Sequence, residues 1–263
     1  MNQPQHHYMV TMPDGTVPRT SGSTGAYTTV NLAEHVGQVV DHPSPGKHKW
    51  FDESAFSYFR TYTQRGVGEV LDRRCEWPVQ WPVRLWIVEP LGETHTWGGQ
   101  YYRHELLAHQ LRVVEETEIW RAFGHRGKKV MDLIDRQLPD LARQWAAEWT
   151  ADPDGTRQRY DAWAERLDDT YALSSWVHFR ARYSRREAAK EVAEKLSRAA
   201  AEKALTTVGA DQDAIKSISL RAWCLTAGQL MHDRICRGDY EKSIRALLLG
   251  TALETNAPAL ACA

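Results

Sequence analysis

The chain has 263 residues, of which 42% are hydrophobic and 25% charged, so it can bury a sizeable core and has the composition of a globular protein. Its formal net charge of -1 gives no global attraction to nucleic acid or to an anionic membrane. No stretch approaches the roughly 18 uninterrupted apolar residues of a spanning helix, and the N-terminus lacks a cationic segment followed by an apolar one.

Four cysteines, Cys75, Cys224, Cys236 and Cys262, form no CxxC pair and no Cys/His metal spacing, which points to reduced thiols in the cytoplasm. Eleven tryptophans run from Trp50 to Trp223 and read as large core anchors in both halves of the chain.

In chain order, His7-Tyr8-Met9-Val10-Thr11-Met12 reads as a strand, and Pro13-Asp14-Gly15 as a turn returning the chain along residues 16–20, with Pro18 at an edge position. Residues 21–25 form a Gly/Ser loop. No GK[ST] follows it, so a linker is expected rather than a phosphate cradle. Residues 26–32 alternate and favour strand. An acidic start at Asp52-Glu53 followed by apolar positions 55, 56, 59 and 62 predicts a helix ended by Gly66 and Gly68.

Two apolar runs, Val83-Arg84-Leu85-Trp86-Ile87-Val88-Glu89-Pro90 and Leu111-Arg112-Val113-Val114-Glu115, are rich in β-branched and aromatic residues and predict buried strands. Between them, residues 91–100 read as a polar, glycine-bearing loop, the position where a site is expected.

From Ile119 the texture is helical. A stripe through Val130, Leu133, Ile134, Leu138, Leu141 and Trp145 is interrupted by Pro139, which either kinks the helix or starts a second one. Asp152-Pro153-Asp154-Gly155 breaks it. Helices are expected through Tyr160, Trp163 and Leu167, and through Leu173, Trp176, Val177 and Phe179. Another opens at the capping-box pattern Ser184-Arg185-Arg186-Glu187 and runs to Leu205, and Gly209-Ala210-Asp211 separates it from a helix over 215–235. The last helix covers 240–253. The fold class expected is therefore α+β: a small twisted β-sheet domain with one helix over residues 1–122, followed by an all-α domain over 123–263.

The segment Arg84-Leu85-Trp86-Ile87-Val88-Glu89-Pro90-Leu91-Gly92 resembles the R-φ-φ-V-V-E-P-x-G strand of the rifampin-type ADP-ribosyltransferases. Tyr102-Arg103 and Leu111-Arg112-Val113-Val114-Glu115-Glu116 are similar to that family's later Y-R and L-R-V-V-G-E segments. The resemblance implies an ADP-ribosyltransferase-like sheet and transfer of ADP-ribose from NAD to an acceptor. It places the ribose-binding histidine at His7, with His6 as the alternative, although the family's H-G-T is His7-Tyr8-Met9 here. It places the tyrosine that stacks on nicotinamide at Tyr27. The family's acidic pair beyond V-E-P is absent, so Glu93 is the carboxylate that takes the role, unless the fold outlived the activity.

His95, His104 and His109 lie close in sequence without metal-ligand spacing, so no metal is expected. The helical half is expected to carry assembly, as a homo-oligomer or with a protein partner. Leu220 to Leu249 offers small residues Ala222, Ala227, Gly228 and Ala246 for close helix packing within or between subunits. The basic-aromatic run 178–186 suits phosphate and base contacts, but a solvated helix end with core-facing aromatics is preferred, and nucleic-acid binding ranks behind the other two functions.

Overall fold

The computed structural model describes residues 6–17, 30–43, 58–71, 81–96, 104–156, 158 and 187–230. The chain divides into two compact units, Met1–Gly124 and His125–Ala263. The class is α+β, with an antiparallel sheet in the first unit and helices in the second.

Among the described residues, five strands form the sheet: β1 (His7–Thr11), β2 (Val39–Asp41), β3 (Phe59–Thr63), β4 (Arg84–His95) and β5 (Glu105–Thr117). β1 lies between β3 and β4, with His7 opposite both Thr63 and Val88. β5 pairs with β3 from Phe59↔Ala108 to Tyr62↔Glu105, with β2 through Val40↔Leu111, and with β4 from Leu85↔Thr117 to His95↔Leu107. The pairings β4–β1–β3–β5–β4 therefore close on themselves, which requires sharply coiled strands. Two bulges supply the bend: Val114 is the extra residue of β5 opposite Ile87/Val88, and the stretch between Leu91 and Thr94 carries one in β4. Gly92 sits there at φ +70, a conformation that costs glycine little.

Directly opposed residues share a face, so the register defines an inner one. Met9, Phe59, Trp86, Val88, Leu111 and Val113 meet there with Val40 and Leu32 as one apolar core. Trp86, 1% exposed, donates its indole N–H to Thr11 Oγ1 at 2.8 Å, so its single polar group is satisfied as the ring is buried. On the other face, Tyr8, Val10, Tyr62 and Leu85 are buried. The 3₁₀ helix Gln64–Leu71, with Val67, Val70 and Leu71 buried, covers β1 and β3 and meets a second 3₁₀ helix, Ile119–Phe123.

The first unit departs from the sequence reading in three places. The predicted helix through position 62 is strand β3 over its described part, because Phe59, Thr61 and Thr63 alternate inward and long-range pairing with β1 and β5 outweighs helical spacing. Its expected terminators Gly66 and Gly68 lie inside the following 3₁₀ helix. The turn at Pro13-Asp14-Gly15 does form and Met12 N–H bonds Thr16 O across it at 2.9 Å, while Thr16 also bridges Asn31; residues 18–20 of the expected return lie outside the described residues. Asn31 then caps the 3₁₀ helix Leu32–His35 by accepting the Ala33 N–H at 2.9 Å. Residues 91–95, expected as loop, continue β4.

In the second unit, residues 127–151 form a continuous helix in three parts: α1 (Gly127–Asp132), a π segment (Leu133–Gln137) and α2 (Leu138–Ala151). The π register, in which Leu138 N–H bonds Leu133 O, directly precedes Pro139, which has no N–H to give. Pro139 is thus absorbed without ending the helix. Leu138, Ala142, Trp145, Ala146 and Trp149 form its buried stripe.

Helices α3 (Glu187–Thr207) and α4 (Gln212–Leu230) pack on each other and on α2. α3 ends in a Schellman motif: Gly209 at φ +72, with Gly209 N–H on Thr206 O and Ala210 N–H on Leu205 O. Asp211 caps α4 by accepting the Ala214 N–H at 2.8 Å. α4 is buried on nearly every side, with Ala222 and Ala227 each close to fully covered. Among the described residues, no helix is long and apolar enough to cross a membrane.

Candidate functional site

Moving along β1, the inner face runs from His7 through Met9 to Thr11, so its apolar middle has a polar group at each end. At the far end, Arg84 grips Glu116 with two hydrogen bonds, Nε to Oε1 at 2.8 Å and Nη2 to Oε2 at 2.5 Å. The guanidinium also lies 4.8 Å from the centroid of the Trp86 ring. The hydrogen bonds from Arg84, and then its charge, hold the Glu116 carboxyl below the ordinary glutamate range. Asp14 is held low first by its hydrogen bonds from Thr16. These groups satisfy one another and read as a structural clasp.

The sign of the clasp's pH dependence follows. A carboxyl depressed in the folded state contributes stability above its unfolded pKa and loses that contribution as pH falls through its folded value. Glu116 is 45% exposed, so the effect is screened to under about 1 kcal/mol. Urea midpoints of wild type and Glu116→Gln, compared at pH 5 and pH 3, are expected to differ more at pH 5. A difference independent of pH would exclude the clasp.

At the near end, four residues lie in a row across four strands: Val88, His7, Thr63 and His104, the last just ahead of β5. Thr63 donates its backbone N–H to His104 O at 2.9 Å, and its hydroxyl lies 3.2 Å from His104 Nδ1. His7 is buried at 7% exposure, whereas Thr63 and His104 are half-buried, so the row opens from the core outward. Gly66 backs it: a Cβ at that position would stand 2.5 Å from His104 Cβ. On the opposite face, Glu105 is buried and engages Arg60 at 2.6 Å.

Of the residues chosen from sequence, His7 therefore lies on the inner face and His6 is exposed. Glu93 is exposed on the β4 bulge, five residues past the partner of His7, or roughly 15 Å along the strand. The two are not brought together on one sugar-sized ligand. Tyr27 and the 178–186 cluster lie outside the described residues. Among the described residues, no group of three or more His, Cys, Asp or Glu is placed to hold a metal ion.

No family model, curated protein or solved structure matches this chain. The chemistry is read from its residues. Sequence reasoning passed over Thr63 and Gly66 as site residues, and treated His104 only as a metal ligand to be dismissed. Period-2 spacing of Phe59, Thr61 and Thr63 was the available signal.

Proposed function

We propose that the first unit is an NAD-dependent ADP-ribosyltransferase-like domain and that the helical unit serves assembly or recognition of a protein partner. The observation that carries the reading is the placement of His7 opposite Val88 of the V-E-P strand, in the same sheet in which the two segments of the resemblance, β4 and β5, pair directly. A half-buried polar row beside an apolar core suits one end of a dinucleotide.

In this reading His7 holds the ribose while the C1′–nitrogen bond breaks. The bonding pair leaves with nicotinamide, and an acceptor lone pair then bonds to C1′, releasing its proton. Glu93, set apart along β4, acts on the acceptor rather than on the sugar. Small residues Ala222 and Ala227 are already buried within the chain. An assembly surface would lie on the outer faces of α2 and α3, and light scattering over a concentration series tests it.

Release of nicotinamide from labelled NAD is the decisive assay. His7→Ala is expected to lower it about 100-fold, the scale of removing one positioned hydrogen-bonding group. Glu93→Ala is expected to reduce transfer to an acceptor while leaving hydrolysis by water intact. Absence of turnover together with absence of an NAD-induced thermal shift in the wild type would overturn the transferase reading.

A further inference from the structure

We infer that Thr63 and His104 are positioning residues that complete, with His7, a subsite for the vicinal hydroxyls of a neutral sugar; the inference rests on the transferase reading above. The row spans three adjacent backbones, about 10 Å from His7 to His104. Its three side chains are hydroxyl and imidazole, groups that each donate and accept, as a ribose diol does. Among the described residues, Arg60 and Glu105, next to Thr61 and His104 in the chain, pair with each other on the opposite face. Among the described residues the row itself presents no lysine, arginine or carboxylate, and its hydroxyl and imidazole groups suit the hydroxyls of a sugar.

The row is also built, not incidental. Thr61, on the same face of β3, turns its hydroxyl to Leu106 O at 3.1 Å and is fully buried. Thr63, two residues on, instead directs its hydroxyl to an imidazole at the half-buried rim. The backbone bond from Thr63 N–H to His104 O fixes the register of the two, and Gly66 leaves the space the His104 side chain occupies. His104 thus contacts Thr63, and Thr63 stands beside His7.

Calorimetric titration with NAD, and with an NAD analogue lacking the 2′-hydroxyl of the nicotinamide-side ribose, tests this. Thr63→Val and His104→Ala are each expected to weaken NAD binding five- to tenfold, with Thr63→Ser restoring it. Gly66→Ala is expected to reproduce the His104→Ala loss. Against the deoxy analogue, Thr63→Val should cost little beyond the loss the analogue already shows. Equal losses for both ligands, or failure of Thr63→Ser to rescue, would reduce the pair to a structural role. Wild-type binding and turnover of NAD with no effect of either variant would overturn this inference while sparing the transferase reading. A wild type that binds no NAD would overturn both.

Discussion

Trp86→Ala is expected to lower the unfolding free energy of the first unit by about 3–5 kcal/mol, the range for emptying a large aromatic site in a packed core. Trp86 is 1% exposed, lies opposite Met9 of β1, and belongs to the inner-face cluster with the β5 residues Leu111 and Val113. The truncation removes the ring, leaves Thr11 Oγ1 without its indole donor at 2.8 Å, and takes away the surface beneath Arg84. Trp86→Phe keeps most of the volume but loses the hydrogen bond, so it should recover more than half of the loss. Urea unfolding read by near-ultraviolet circular dichroism measures both. A loss below about 1 kcal/mol for Trp86→Ala would show that the closed sheet does not depend on this ring.

Gly15→Ala is the second large effect, at about 2–4 kcal/mol. Gly15 has φ +90, which disfavours any L side chain by roughly 1–2 kcal/mol. A Cβ there would also stand 2.5 Å from Asn31 Oδ1 and 2.8 Å from Ala33 Cβ. The substitution thus pushes on the residue that caps Leu32–His35, a bond whose loss costs about 1 kcal/mol more. Gly37 provides the control, because it has φ +80 but nothing within 4 Å of its Cβ position. Gly37→Ala should show the conformational cost alone. Equal effects at the two glycines would locate the penalty in the backbone and not in the contact with Asn31.

Local chemistry was legible in the sequence where neighbours in the chain decide the outcome. Pro13-Asp14-Gly15 makes its turn and Gly209-Ala210-Asp211 ends one helix and caps the next, because each depends on a backbone conformation or cap formed within a few residues. The apolar runs of β4 and β5 were legible for a similar reason, since β-branched and aromatic residues favour a buried pleat in any context. β3 was not. Its apolar positions satisfy a helical stripe, and only distant partners, on β1 and from Glu105 to Ala108 of β5, fix it as a strand.

The site follows the same division. His7 was reachable from its order in the chain, while its row-mates were not, because Thr63 and His104 meet across 41 residues through a register that no local pattern encodes. Glu93 lies where loop is expected and β4 continues instead, five residues along the strand past the partner of His7.

The closure of the sheet sets an order of events during synthesis. β1 is made first, yet its bond to Trp86 spans 75 residues, and its long pairing partner β4 comes after both β2 and β3. At ribosomal rates of about 5–20 residues per second, the apolar segment His7–Thr11 waits roughly 4–15 seconds for its neighbour. β4 and β5, adjacent in the chain, can pair as soon as both have emerged. The last-made strand, β5, pairs with β2, β3 and β4 and so closes the ring, and the interval before that is when the first unit is open to wrong partners.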